Sequence, residues 1–156
     1  EYGPLRRSVL LLWVSAEEKG LLGSQAWTED PWLPNGAQAV CNLNIDMVGR
    51  NAPDALYITP TRDHRAYNGL TRLAETWAAA EGFGPLGSAD DYWDRSDHAN
   101  FEQNLKIPVA FLFAEVHEDY HQPTDTADKI DSDKIRRVAR LVLRMLDGLQ
   151  GDELGV

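Results

Sequence analysis

The chain has 156 residues, 43% hydrophobic and 26% charged, which suits one globular domain with a core of its own. Its formal net charge of −10 argues against nucleic acid, whose phosphates need clustered Lys and Arg, and suits metal cations or cationic groups. The single cysteine, Cys41, excludes an internal disulfide and a thiolate zinc cluster, and no apolar stretch approaches the ~20 residues of a membrane span.

The first element in chain order is an apolar run, Leu5 to Val14, which reads as a strand buried on both faces. Glu1-Tyr2-Gly3-Pro4 leads into it without a starting Met or a signal peptide, so the chain is expected to be cut from something longer. The turn Ser15-Ala16-Glu17-Glu18-Lys19-Gly20 follows. A helix from Leu21 to about Glu29 then presents Leu21, Leu22 and Ala26, and Pro31 and Pro34 close it in a loop. Ala39 to Val48 is a second strand; Cys41 in it reads as a small buried apolar residue. Its polar members Asn42, Asn44 and Asp46 share one face by period two. Ala55 to Thr59 is a third strand. Thr61 or Asp63 can cap a helix that runs to about Glu81, with Tyr67, Leu70, Leu73, Ala74, Trp77 and Ala78 as its stripe and Gly82 as its stop.

Phe83 to Asp94 is rich in Gly, Pro and Asp and reads as loop, and Ser96 is the expected cap of a short helix that buries Phe101. Ile107 to Phe113 is a fourth strand. Glu115 to Asp131 is irregular. Ser132 is read as the cap of a last helix whose apolar positions are Ile135, Val138, Leu141, Val142, Met145, Leu146 and Leu149. Alternating strands and helices make the class α/β.

Chemistry-bearing residues recur where strands end: Glu17-Glu18, Asp46 and His121. Each has an ordinary reading alone, as a solvated pair, a turn cap and a loop histidine. Open α/β sheets bring such strand ends to one edge, and carboxylates with imidazole bind Zn²⁺ without thiolates.

Four segments occur in order: Ser15-Ala16-Glu17-Glu18-Lys19-Gly20-Leu21-Leu22-Gly23-Ser24; Asn44-Ile45-Asp46-Met47-Val48-Gly49; Arg95-Ser96-Asp97-His98; and Asp119-Tyr120-His121-Gln122-Pro123-Thr124-Asp125-Thr126. Together they resemble the motifs of the di-zinc aminopeptidases, a family that includes bacterial leucyl aminopeptidase and the peptidase-like domains of glutamate carboxypeptidase II and the transferrin receptor. The resemblance covers nearly the whole chain. It implies a three-layer α/β sandwich with a mixed central sheet, helices on both faces, and two Zn²⁺ per complete site. It implies Glu17 as general base toward the attacking water, and Glu18 and His121 as ligands of one metal. Asp46 would be a ligand of the other, Tyr120 a hydrogen-bond donor to the developing oxyanion, and Arg95 a possible helper there. The implied partner is a peptide with a free N-terminus, and the implied compartment is extracytoplasmic.

The family also uses a His-x-Asp motif and a bridging Asp from an earlier part of the chain, and this sequence has neither. Residues 1–156 are therefore expected to be the C-terminal part of a single peptidase domain, needing its N-terminal portion as partner and inactive alone. Three other readings stand beside this one. They are a non-catalytic peptidase-like binding domain, a single-zinc glutaminyl cyclase-like acyltransferase, and a zincin built on His117-Glu118-Asp119-Tyr120-His121, which fits H-E-x-x-H. Pro123 leaves that last pattern little more than one helical turn. His64 reads as exposed on a first helical turn, Asp97 and His98 as braces near the site, and Tyr92 and Trp93 as possible pocket lining. The remaining tryptophans, Trp13, Trp27, Trp32 and Trp77, read mostly as core or loop anchors.

Overall fold

The structure, a computed structural model, describes residues 5–150. Residues 1–4, the expected lead into the first strand, lie outside it. Its sheet has four strands: β1 (Asn42–Ile45), β2 (Tyr57–Thr59), β3 (Gly87–Ser88) and β4 (Val109–Phe113), in the order β1-β4-β2-β3. β4 runs parallel to β1 and antiparallel to β2, and β2 runs parallel to β3, so the sheet is mixed. β4 lies between two neighbours and is buried along its whole length, as its continuous apolar run dictates.

Alternation along β4 separates the layers. Ala110 and Leu112 face a core shared with α2 (Gly69–Trp77) and α4 (Ser132–Gly148), through Leu70, Ala74, Val138, Leu141 and Met145. Phe111 and Phe113 face the other side, with Ala89, Met47 and Tyr57. Val109 packs there too, with Trp93 and Phe101. That second face also carries α1 (Leu22–Glu29), α3 (His98–Asn100) and the π-helical turn Phe101–Leu105 that continues α3. The result is the expected three-layer α/β arrangement.

Several local expectations are corrected. Leu5 to Val14 forms no strand. Leu11 is 70% and Trp13 84% exposed, because no strand among the described residues pairs with this segment; its Arg7 N–H donates to Gln150 Oε1 at 2.8 Å instead. α1 turns its small polar residues inward: Ser24 and Thr28 are buried and Leu22 is half exposed. Hydrogen bonding explains the inversion. Ser24 donates to Asp97, Thr28 donates to Ser24 O at 2.8 Å, and Asn104 donates to Thr28 at 2.8 Å.

The cap of α2 is Asn68, which accepts from Leu70 N–H at 2.8 Å; Thr61 is taken up by Asp90 instead. His64 therefore precedes the helix and packs on Trp93, ring centroids 4.4 Å apart. The cap of α4 is Asp131, which accepts from Lys134 N–H at 2.9 Å. The stretch read as loop over Phe83 to Asp94 supplies β3 and a 3₁₀ turn, Asp90–Tyr92. Of the tryptophans, Trp93 is buried and Trp27 packs on Phe101, whereas Trp32 is 74% exposed. Cys41 is half-buried at the margin of the α2–α4 core, and burial pushes its thiol pKa up.

Candidate functional site

Parallel β1 and β4 end at the same edge of the sheet. Asp46 follows β1 immediately, and its backbone N–H donates to Leu112 O at 3.2 Å, so the turn it opens stays bonded to β4. A second turn leaves β4 and reaches His121. The third contributor is the 3₁₀ turn Glu17–Lys19, closed by Gly20 N–H to Glu17 O at 3.0 Å. Gly23 anchors that turn. Its N–H donates to Ser15 O at 2.9 Å, and a Cβ on it would lie 2.3 Å from the same oxygen, so only glycine fits.

Strain accumulates at these turns. Ala16, Met47, Glu115 and His121 all hold left-handed backbones, with φ of 57°, 53°, 71° and 57°. Such conformations cost non-glycine residues about 1–3 kcal/mol each and persist only where the surroundings enforce them.

The turns converge. His121 Nε2 lies 2.8 Å from Glu18 Oε1, across 103 positions of sequence. The Tyr120 ring stacks on His121 with centroids 3.8 Å apart. Ser96 Oγ donates to Asp46 Oδ2 at 3.0 Å and accepts from Asn44 Nδ2 at 2.8 Å. Ser96 therefore does not cap α3, as its position suggested; α3 starts after Asp97 with no side-chain cap. The Asn44–Asp46 alternation was the signal that β1 presents polar groups on one face. That Ser96 would meet them was not readable.

Electrostatics ties these groups together. Burial raises the pKa of Glu17, and Glu18, Asp46 and Asp97 raise it further while His121 opposes. Burial also raises Asp46; the Ser96 hydrogen bond offsets this in part, and Asp97 and Glu18 add to the rise. The Tyr120 phenol is pushed up by burial and then by Glu18 and Glu17, with Arg95 opposing. Arg95 thus lies within electrostatic reach of Tyr120, though its nearest ring contact is Tyr92, at 5.9 Å. Among the described residues no Lys or Arg forms an ion pair with Glu17, Glu18 or Asp46, and the only cationic partner within 4 Å of any of them is His121. Carboxylates left to repel one another, two of them partly buried, beside an imidazole, are a donor set that a zinc ion fits.

Asp97 and His98 brace the site. Asp97 accepts from Ser24 on α1. His98 is fully buried, stacked on Phe111 with centroids 4.7 Å apart, and desolvation pushes its pKa down to about 4, which keeps it neutral. Tyr92 packs on Phe113 and Trp93 lies between His64 and His98.

A second constellation looks metal-like by distance alone. His117, Asp119 and Asp125 can each bring one donor atom within 4.8 Å of the others, and no other trio among the described residues does so. Cations already occupy its carboxylates. Arg50 Nη2 donates to Asp119 at 2.6 Å, Arg50 Nη1 donates to Asp125, and Lys129 donates to Asp119 at 2.8 Å. The H-E-x-x-H pattern also fails in three dimensions. Its segment is turn rather than helix, His117 Nε2 faces Asp125 at 3.8 Å, and His121 faces Glu18.

Residues 1–146 match Peptidase family M28. The chain belongs to that family. This M28 chain is 29% identical over 145 residues to a probable leucine aminopeptidase of Arthroderma otae, covering 90% of itself and 39% of the relative. Its fold matches a zinc aminopeptidase from Bacillus subtilis with a TM-score of 0.67 and 26% identity, over 87% of this chain and 34% of that one. It also matches Porphyromonas gingivalis glutaminyl cyclase with a TM-score of 0.68 and 25% identity, over 85% of this chain and 50% of that one. The chain thus spans between about a third and a half of the length of these proteins. Among the described residues, no helix is long and apolar enough to cross a membrane.

Proposed function

We propose that this chain supplies one side of the catalytic centre of a zinc aminopeptidase that removes N-terminal residues from peptides. The observation that carries the reading is the meeting of His121 and Glu18 at 2.8 Å, beside Asp46 and Glu17 and with no Lys or Arg paired to the carboxylates. Glu18 and His121 hold one zinc and Asp46 holds a second. When bound, the metals polarise the scissile carbonyl and engage the substrate's free amine. Glu17 has no metal role and acts as the base. Its raised pKa keeps it closer to the operating pH than an ordinary glutamate, which suits proton transfer. Tyr120, high in pKa and therefore protonated, donates a hydrogen bond to the oxyanion, and Arg95 adds positive charge nearby.

Each metal needs more ligands than this chain offers, since a catalytic zinc usually takes three protein donors. We assign the rest, a His-x-Asp pair and a bridging Asp, to an N-terminal portion of the same domain, and infer that residues 1–156 are inactive alone. The exposed apolar run through Leu10, Leu11, Leu12 and Trp13 supports this, since contiguous apolar surface of that kind is normally covered by protein. Export from the cytoplasm is the matching expectation for the whole protein, by resemblance.

The test is hydrolysis of aminoacyl-nitroanilides with zinc, by this chain and by the whole protein. The whole protein should turn over with two zinc ions bound, and the isolated chain should not. Substantial turnover by the chain alone, abolished by Glu17→Gln, contradicts the incomplete-site assignment. The glutaminyl cyclase likeness supports a second reading, transfer chemistry on one zinc. A stoichiometry of one, with cyclisation of N-terminal glutaminyl peptides, would favour it.

A further inference from the structure

The turn that opens with Asp46 and the turn that carries His121 meet outside the candidate centre as well as in it. Arg50 lies four positions after Asp46, and its guanidinium is only 11% exposed. One prong donates to Asp119, two positions before His121, at 2.6 Å, and the other donates to Asp125, four positions after it. Lys129 fills the second oxygen of Asp119 at 2.8 Å. The backbone around Arg50 is held as closely. Lys134, fully buried on α4, donates to Arg50 O at 2.6 Å and to Ala52 O at 2.9 Å. The Asn51 side chain donates to Ala114 O at 2.7 Å and to Val116 O at 3.1 Å, where the chain leaves β4. Asp131 N–H donates to Gly49 O at 2.8 Å.

We propose that Arg50 is a positioning residue, whose forked contact with Asp119 and Asp125 sets the His121 turn at a fixed distance from the Asp46 turn. This rests on the reading of Glu18, Asp46 and His121 as metal ligands. The physical case is that neither turn can hold itself. Both contain a residue with a left-handed backbone, Met47 in one and His121 in the other, so each relaxes unless outside contacts enforce it. A planar guanidinium can grip two carboxylates at fixed angles, which an ammonium cannot do. Partners that orient a metal ligand from outside are typically worth 10–100-fold in metal affinity.

The experiment is calorimetric titration of the metal-free whole protein with Zn²⁺, together with amide hydrogen exchange of residues 117–125 in the same metal-free protein. Arg50→Ala should weaken zinc binding about 10–100-fold and raise exchange in that segment, with the far-UV spectrum unchanged. Arg50→Lys should recover only a minor part of the loss. Arg62→Ala, which breaks the exposed Arg62–Glu75 pair, should change neither reading. If Arg50→Ala does not fold, Asp125→Asn removes one prong and should show the same changes on a smaller scale. Zinc affinity within about twofold of wild type in Arg50→Ala, while His121→Ala abolishes binding, overturns the clasp and leaves the metal site standing. If His121→Ala leaves binding intact, or wild type takes up no zinc, the metal-site reading fails. The exchange data then decide the clasp, and unchanged exchange in Arg50→Ala overturns it.

Discussion

Two carboxylate clusters stand at one end of the sheet, and the fold treats them oppositely. Asp119 and Asp125 are gripped by Arg50, with Lys129 on Asp119, and Lys129, Arg50 and Thr124 together hold Asp119 well below the usual carboxylate range. Glu17 and Asp46 face no such cations, and burial and their neighbours push both up. By donor distances alone, the first cluster is the better metal site. By charge it is already neutralised within the chain, and the second is left in deficit. A cation binds where it relieves repulsion, not where it must evict a guanidinium.

The largest effect that could break this contrast is catalytic. In the whole protein, Glu17→Gln should cost about 10²–10⁴-fold in kcat with zinc content unchanged, because under the proposed assignment it removes the base and no ligand. Loss of zinc in that variant would move Glu17 into the ligand set.

Zinc should next separate the clusters by stability. At about 100 times its Kd it should raise the unfolding free energy by about 2.7 kcal/mol, read from urea midpoints. That gain should vanish in Glu18→Gln and survive in His117→Ala, whose ring bears on the paired cluster only. The reverse result makes His117, Asp119 and Asp125 the metal site.

Acid should sharpen the contrast in metal-free chain. Asp119, paired with Lys129 and Arg50, and Asp133, paired with Arg136 and Arg137, have depressed values in the fold. Their contribution is present above the ordinary carboxylate pKa of about 4 and is lost as pH falls through their folded values. Glu17 and Asp46 are raised, so the sign reverses: their ionisation opposes folding, and protonation relieves it. His98, kept neutral in the fold down to about 4, works against this relief, because its contribution is lost as pH falls below its ordinary value of about 6.5. Replacing Glu17 and Asp46 by their amides should therefore steepen the loss of stability between pH 7 and about 4, and an unchanged pH profile would contradict the raised pair.

The smallest effect concerns Ser96→Ala, which removes one donor from Asp46 and should cost about 1 kcal/mol of stability. It should raise the Asp46 pKa further, measurable by carboxyl NMR. An unchanged pKa would show that burial alone sets it.

Much of this was legible in the sequence. The apolar run of β4, the stripes of α2 and α4, and the turns bearing Glu17-Glu18, Asp46 and His121 all follow from local pattern. The misreadings share a cause. The run through Leu11 and Trp13 has strand propensity, yet a strand also needs a neighbour to take its backbone hydrogen bonds, and none is present among the described residues. Leu21, Leu22 and Ala26 were the face expected of α1, yet Ser24 and Thr28 are the residues buried, because Asp97 and Asn104 bond to them from far along the chain. Nothing local marks Lys134 on α4 as buried, and its ammonium ends on the carbonyls of Arg50 and Ala52.

Periodicity and residue type were enough to name β1, β2, β4 and the helices α2 and α4, because those depend on neighbours in the chain. Which acidic cluster keeps its charge was decided by folding. Arg50 and Lys129 reach Asp119 from opposite directions in the sequence, and only three-dimensional packing brings them to one cluster and not to the other.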